Sequence, residues 1–130
     1  YVAPDYHIVK KGSLTGNING DKERLTQVLI NLLSNAVKYA PHHKEVKVRV
    51  EQNKNNVTVS IADQGIGIYK DHLVKIFDRY YRVNQQDAIQ FQGLGIGLYI
   101  TSEIIKRHGG KLWVESTYGK GSTFYFSLPI

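Results

Sequence analysis

Apolar residues recur along the chain with two different periods, and these periods predict its helices and strands. Residues 21–40 show the spacing of a helix with one apolar face, which is formed by Leu25, Val28, Leu29, Leu32, Leu33 and Ala36. Asp21 is the predicted N-cap of this helix, and Pro41 marks its predicted end. A second helical pattern covers residues 96–107, and the pair Gly109-Gly110 predicts its C-terminal cap.

Strict alternation of apolar and polar residues predicts strands in the rest of the chain. Strands are expected at residues 45–52, from Val57 onward, at 111–117 and at 122–128, and residues 6–14 could add another. A short helix is predicted over residues 69–81, and residues 83–92, which lack periodicity, are predicted to form a mobile loop. Together these elements predict a single α+β domain, a two-layer sandwich in which helices cover one face of a mixed, mostly antiparallel sheet.

Composition narrows the class of protein. The 130 residues contain no Cys, which excludes a disulfide scaffold, a thiolate metal site and a cysteine nucleophile. The sequence has no run of about 18 apolar residues that would span a membrane. The net charge of +6 suggests a polyanionic partner, which could be nucleic acid, an acidic membrane face or phosphate groups. Because the chain has no Met and begins at Tyr1, we expect it to be a piece of a longer protein.

The first predicted helix carries a polar stripe beside its apolar face. Asn31, Asn35 and Lys38 fall within an arc of about 60° at helical spacing. Asn is a mediocre helix former, so two Asn one turn apart call for an explanation. The stripe is either an ordinary solvated face or a site for Mg²⁺ and phosphate, since amide oxygens are suitable Mg²⁺ ligands.

A carboxylate follows the second predicted strand. Asp63 continues the parity of Val57, Val59 and Ile61, so it should point toward the core, where a carboxylate is costly without a donor. The exocyclic amine of a base could be that donor, and the glycines of the segment 63–68 would permit positive φ or close approach of a ligand. The alternative is a plain turn that contains an Asp.

Two further segments have ambiguous chemistry. Residues 93–98, with three glycines at the head of the second helix, could turn backbone N–H groups toward an anion, or could form a structural loop. Residues 77–82 combine aromatic residues with Arg79 and Arg82, whose guanidinium groups suit phosphate. They could equally stack on nucleic-acid bases, or form an aromatic anchor flanked by solvated arginines.

In this order and spacing, the four segments resemble the ATP-binding catalytic domain of bacterial sensor histidine kinases. That family is shared with gyrase B subunits, heat-shock-90 chaperones and mismatch-repair ATPases. Residues 27–39 resemble its N box, 63–68 its G1 box, 77–82 its F box and 93–98 its G2 box, and residues 119–124 resemble its closing hairpin. The resemblance implies a Bergerat-type fold with a mobile ATP lid over about residues 83–92.

The resemblance also implies roles. Asn35 would ligate Mg²⁺ with support from Asn31, Lys38 and Arg82 would reach phosphate, Tyr39 would pack on the nucleotide, and Asp63 would accept from the adenine amine. The other residues assigned to the nucleotide are Gly65, Gly67, Ile68, Gly93, Leu94, Gly95, Ile96, Gly97, Leu98 and Thr123.

The residue at position 31 affects whether ATP hydrolysis or phosphoryl transfer is expected. ATPases of the larger family carry a Glu at this position as a general base, whereas an amide takes no proton at neutral pH. Hydrolysis should therefore be slow and the γ-phosphoryl group kept for an acceptor, which makes a stand-alone ATPase the weaker alternative. A nucleic-acid-binding module is weaker still.

None of the five His residues lies in the family's phosphoacceptor pattern, so no catalytic residue is assigned within this chain. The acceptor His is expected on dimerisation helices of the same parent protein, and the chain alone is not expected to autophosphorylate. The resemblance implies a response regulator downstream and a cytoplasmic domain of a membrane-anchored homodimeric sensor, with no nucleic-acid partner.

Overall fold

The computed structural model describes residues 7–12, 18, 20–38, 45–73, 75–78 and 97–130, and for residues 7–11 and 38 it describes the backbone alone. Several site assignments lie outside these residues: Tyr39, Arg82, Gly93, Leu94, Gly95 and Ile96. The lid predicted at 83–92 also lies outside. The described elements, in chain order, are β1 (His7–Lys11), α1 (Lys22–Lys38), β2 (Glu45–Gln52), β3 (Asn56–Asp63), α2 (Lys70–Leu73), α3 (Gly97–Arg107), β4 (Lys111–Thr117) and β5 (Gly121–Pro129).

The strands form one mixed, mostly antiparallel sheet, which confirms the predicted class of fold. Its strand order is β1-β2-β3-β5-β4, with β1 parallel to β2 and the other neighbours antiparallel. Helices α1 and α3 pack against each other and against the same sheet. None of the described helices combines the length and the apolar character needed to cross a bilayer.

Register places the apolar side chains of neighbouring strands on one face. Val48, Ile61 and Phe124 are successive cross-strand partners, and so are Val50, Val59 and Phe126 in the next row. Cross-strand partners share a face, so these rows form the floor of the core. Helix α1 covers them with its buried stripe of Val28, Leu32 and Ala36.

Capping residues define the N-terminus of α1 and the C-terminus of α3, which lie near each other. The Asp21 carboxylate accepts from the backbone N–H groups of Glu23 and Arg24 at 3.0 and 3.2 Å, which confirms the predicted N-cap. Helix α3 ends in a Schellman arrangement: Gly109 has φ +74°, and the Gly110 N–H donates to the Ile105 carbonyl at 2.9 Å.

His108 joins these two ends. Its Nδ1 lies 2.8 Å from the Ile104 carbonyl oxygen, which can only accept, so Nδ1 carries the proton. Its Nε2 then accepts from the Asp21 N–H at 3.0 Å. His108 therefore has a structural role, since it links the end of α3 to the start of α1.

The segment 69–81, predicted as a short helix, is described by the structure at residues 69–73 and 75–78. Among these residues Lys70–Leu73 is α-helical, and residues 75–77 form a turn. The Lys75 and Asp78 N–H groups donate to carbonyls three residues back, at 3.0 and 2.9 Å, which is the tighter winding of a 3₁₀ turn. Burial of Ile76 and an edge-to-face contact of Phe77 with Phe124 anchor this turn to the core.

Candidate nucleotide site

The core-facing side of the sheet ends in three polar residues, which we call the polar row. Asp63, Ser122 and Ser116 are register partners on β3, β5 and β4, so their side chains share the face covered by helices. The row comes directly after the apolar row that contains Ile61 and Phe124. Asp63 is 7% exposed and Ser122 is 5% exposed. The structure therefore confirms that Asp63 points toward the core.

The environment of Asp63 sets its charge. Burial raises the pKa of Asp63 from 3.8 to about 6, while backbone N–H groups of Gly65 and Ser122 act in the opposite direction. The Gly65 N–H donates to Oδ1 at 2.9 Å. The side chain is thus a poorly hydrated acceptor, and an additional hydrogen-bond donor from a ligand would stabilise its ionised form.

The loop after Asp63 is clamped against the β4–β5 hairpin. The Gly119 N–H donates to the Ile66 carbonyl, at 2.6 Å, and the Ile68 N–H donates to Ser116 Oγ at 2.8 Å. Gly67 has φ +75°, and a Cβ there would lie 2.2 Å from the Thr117 carbonyl oxygen, so only glycine fits. The Tyr69 ring stacks on the Tyr118 ring beside these contacts, with centroids 3.8 Å apart.

Thr123 does not join the polar row. Its register partners are Ala62 and Glu115, which places Thr123 on the opposite face of the sheet from Asp63. The neighbouring Ser122 lies beside Asp63 instead. Sequence reasoning missed Ser122, although strand parity counted back from the apolar residues of β5 would have placed it on the core face.

A second group of site residues links α1 to the head of α3. The Thr101 hydroxyl donates to the Gly97 carbonyl at 2.9 Å, and the Asn31 amide donates to Thr101 Oγ1 at 3.2 Å. Thr101 is fully buried. Because the only hydroxyl proton of Thr101 goes to Gly97, its partner at position 31 must be a donor. The Asn31 amide nitrogen is therefore engaged, and its oxygen is the atom that could face a cation.

The other assigned residues fall around these two groups. Asn35 is half-buried one turn after Asn31, and Lys38 is the last residue of α1. Ile68 is buried in the core, and Leu98 is partly buried and packs against the same core. A Cβ on Gly97 would meet no described atom within 4 Å. Helix α1 connects the groups because it packs against β3 and also against α3.

We predict that Asp63→Asn stabilises the protein at neutral pH. The raised pKa means that the folded state resists ionisation, at a cost of up to about 3 kcal/mol above pH 6. The free energy of unfolding, measured by urea denaturation, should rise in the variant by about 1–3 kcal/mol at pH 8. The gain should shrink as pH falls through 6 and vanish near pH 3.5, where Asp63 is protonated in both states. Asp78→Asn, at an exposed position, is the control for loss of one charge, and a pH-independent gain in Asp63→Asn would contradict the prediction.

We predict that Asn31→Asp destabilises the contact between α1 and α3. The change replaces the required donor by a carboxylate oxygen that faces the lone pairs of Thr101, and should lower the free energy of unfolding by about 1–3 kcal/mol. Asn55→Asp makes the same change at an exposed turn and should have little effect. In a Thr101→Val background, Asn31→Asp should lower the free energy of unfolding by less than it does in the native chain. An equal loss in both backgrounds would show that repulsion from Thr101 is not the cause of the destabilisation.

Comparisons with known proteins identify the family. The family model described as histidine kinase-, DNA gyrase B-, and HSP90-like ATPase matches residues 20–130. Sensor histidine kinase WalK of Bacillus subtilis (strain 168) is 41% identical over 111 residues, and sensor protein kinase WalK of Staphylococcus haemolyticus (strain JCSC1435) is 40% identical over the same length. These matches cover 84% of this chain, which spans 18% of the length of each relative.

Solved structures agree with the sequence relatives. The mycobacterial sensor histidine kinase MprB superposes with a TM-score of 0.79 at 27% identity, covering 96% of this chain and 80% of that one. Full-length ShkA, solved in complex with AMPPNP, gives a TM-score of 0.80 at 31% identity, covering 95% of this chain and 25% of ShkA. The chain therefore belongs to the histidine kinase-, DNA gyrase B- and HSP90-like ATPase family, and within it to the catalytic domains of sensor histidine kinases.

Proposed function

We propose that this chain binds Mg-ATP and that the γ-phosphoryl group passes to a His on a dimerisation helix outside these residues, within a two-component sensor kinase. The observation that carries the nucleotide part is the buried Asp63 carboxylate in the polar row. Backbone N–H groups orient it, and the clamped loop holds it at the end of β3. A purine with an exocyclic amine supplies the donor that such a carboxylate needs. The ShkA structure, which contains AMPPNP, supports this choice of ligand.

The metal and phosphate part of the proposal rests on α1. Asn31 and Asn35 lie one turn apart on the same helix, and the Asn31 amide nitrogen is engaged by Thr101, which leaves its oxygen for a hard cation. Bound Mg²⁺ would neutralise phosphate charge. Lys38, Tyr39, Arg82, Gly93, Leu94, Gly95 and Ile96 are assigned to the nucleotide on the resemblance alone.

The hydrogen bonding of Asn31 favours phosphoryl transfer over hydrolysis. A general base at position 31 would have to be a proton acceptor, yet Thr101 requires a donor there. The side chain that suits the contact between α1 and α3 therefore cannot activate water. The donor at position 31 supports a domain that does not hydrolyse bound ATP and keeps the γ-phosphoryl group of ATP for a His acceptor. It disfavours the alternative of a stand-alone ATPase.

The similarity to sensor histidine kinases supports a proposal for the remaining partners. We propose that the parent is a membrane-anchored homodimer whose dimerisation helices carry the acceptor His, with this domain on the cytoplasmic side. A response regulator would then receive the phosphoryl group.

We predict that ADP binding depends on Mg²⁺ through Asn35. Calorimetric titration of the chain should show tighter ADP binding with Mg²⁺ than with a chelator, by about tenfold or more if one amide ligand helps to hold the metal. Asn35→Ala should remove most of this difference, because the amide oxygen is lost, while leaving the metal-independent affinity in place. Asn55→Ala, at an exposed turn, is the matched control. If Asn35→Ala kept the full metal dependence, the assignment of the ligand would be wrong.

We predict that the chain alone hydrolyses ATP at well below about one turnover per second, the lower end of ordinary enzyme rates. Radiolabelled ATP should leave the chain unlabelled and should label a separately added acceptor-helix fragment of the parent protein. Turnover at ordinary rates would favour the ATPase alternative. Labelling of the chain itself would show that one of its own side chains accepts the phosphoryl group.

A further inference from the structure

The Ser116 side chain lies at the β4 end of the polar row and touches three groups. Its Oγ is 2.8 Å from the Ile68 backbone nitrogen, 2.8 Å from the Gly121 carbonyl oxygen and 2.8 Å from Ser122 Oγ. Ile68 lies in the loop that follows Asp63, whereas Gly121 and Ser122 are the first two residues of β5. The site residues assigned from the sequence include neither Ser116 nor Ser122.

The valence of a hydroxyl group fixes the direction of each of these bonds. Ser116 has one proton to donate and can accept two hydrogen bonds. The Gly121 carbonyl can only accept, so it takes the Ser116 proton, and the Ile68 N–H can only donate. The contact between Ser116 and Ser122 is then possible only if Ser122 donates to Ser116.

This direction decides what Ser122 presents to its surroundings. Its single proton is used by Ser116, so its remaining capacity consists of lone pairs. Asp63, its register partner, is an acceptor as well, since its pKa of about 6 keeps it mainly ionised at pH 7.5. The base-binding end of the sheet therefore presents acceptors side by side.

We propose that Ser116 is a positioning residue that holds the Ser122 hydroxyl as an acceptor beside Asp63, and so makes the site discriminate for a purine with an exocyclic amine against one with a carbonyl oxygen in that place. The inference rests on the proposed nucleotide function. Adenine offers an N–H₂ donor to the two acceptors, whereas the O6 atom of hypoxanthine or guanine would place a third acceptor against them. Leaving such groups unpaired is costly in a buried site.

The test compares ADP with inosine diphosphate (IDP), which carries O6 in place of the amino group and a proton on N1, and which has the same phosphates. The ratio of the two dissociation constants therefore cancels the phosphate and metal contributions. Titrations at pH 7.5 in Mg²⁺ should show that the native chain prefers ADP. Ser116→Ala frees the Ser122 hydroxyl to turn and donate to O6, and should lower the preference by about five- to tenfold, the value of one hydrogen bond.

Further variants separate positioning from a general loss of structure. Ser116→Thr keeps the hydroxyl and should keep the native preference. Ser122→Ala removes the acceptor that opposes O6 and should also lower the preference for ADP. In the Ser122→Ala background, adding Ser116→Ala should change the ratio no further, because no hydroxyl is left to reorient. Ser127→Ala, on β5 but on the opposite face from the polar row, is the matched control and should leave both affinities unchanged.

The outcomes are distinct. A fall in the ratio in Ser116→Ala that disappears in the Ser122→Ala background would support the proposal. If Ser116→Ala weakened the binding of ADP and IDP equally, the proposal would be overturned, because Ser116 would then only maintain the fold. The proposed nucleotide function would still stand. A higher preference for ADP in Ser122→Ala would also overturn it, since Ser122 would then have been donating to O6. If the native chain bound no ADP, the proposed function and this inference would both fail.

Discussion

Burial of a carboxylate at the end of β3 is the constraint on which this end of the molecule depends. Asp63 continues an apolar face, where a charged group is costly unless donors meet it. Backbone N–H groups can meet it only if the chain turns sharply and the hairpin approaches closely. Gly121 shows how close this approach is: its φ is +97°, and a Cβ there would lie 2.2 Å from the Asp63 carbonyl oxygen. Gly65 thus donates to the carboxylate of Asp63, while Gly121 allows the hairpin to approach the backbone of the same residue.

Directional hydrogen bonds organise both groups of site residues. Thr101 gives its proton to Gly97 and requires a donor at Asn31, while Ser116 gives its proton to Gly121 and requires one from Ser122. In each case a hydroxyl with a committed proton determines which chemistry its neighbour can offer. Structural and functional interpretations of Asn31 are therefore compatible, since its nitrogen holds α3 and its oxygen remains for a ligand.

Much of the fold could be predicted from local pattern. The Asp21 cap, the Gly109 cap and the alternating strands depend on neighbours in sequence, and the structure confirms them. In the segment predicted as a helix from residue 69, Lys70–Leu73 is α-helical, and the turn at residues 75–77 packs Ile76 and Phe77 against the core. Thr123, and not Ser122, was assigned to the nucleotide because that assignment rested on the resemblance of residues 119–124, which carries no information about the face of β5.

The sequence by itself determined the family, the class of fold and the inward orientation of Asp63, because each follows from periodicity or from motifs that are contiguous in the chain. Only the tertiary structure decided that Ser116, Ser122 and Asp63, which come from three strands, form one row. The reason is physical. Register between strands depends on pairing of residues that are distant in sequence, and a hydroxyl has no fixed role as donor or acceptor until its partners are in place.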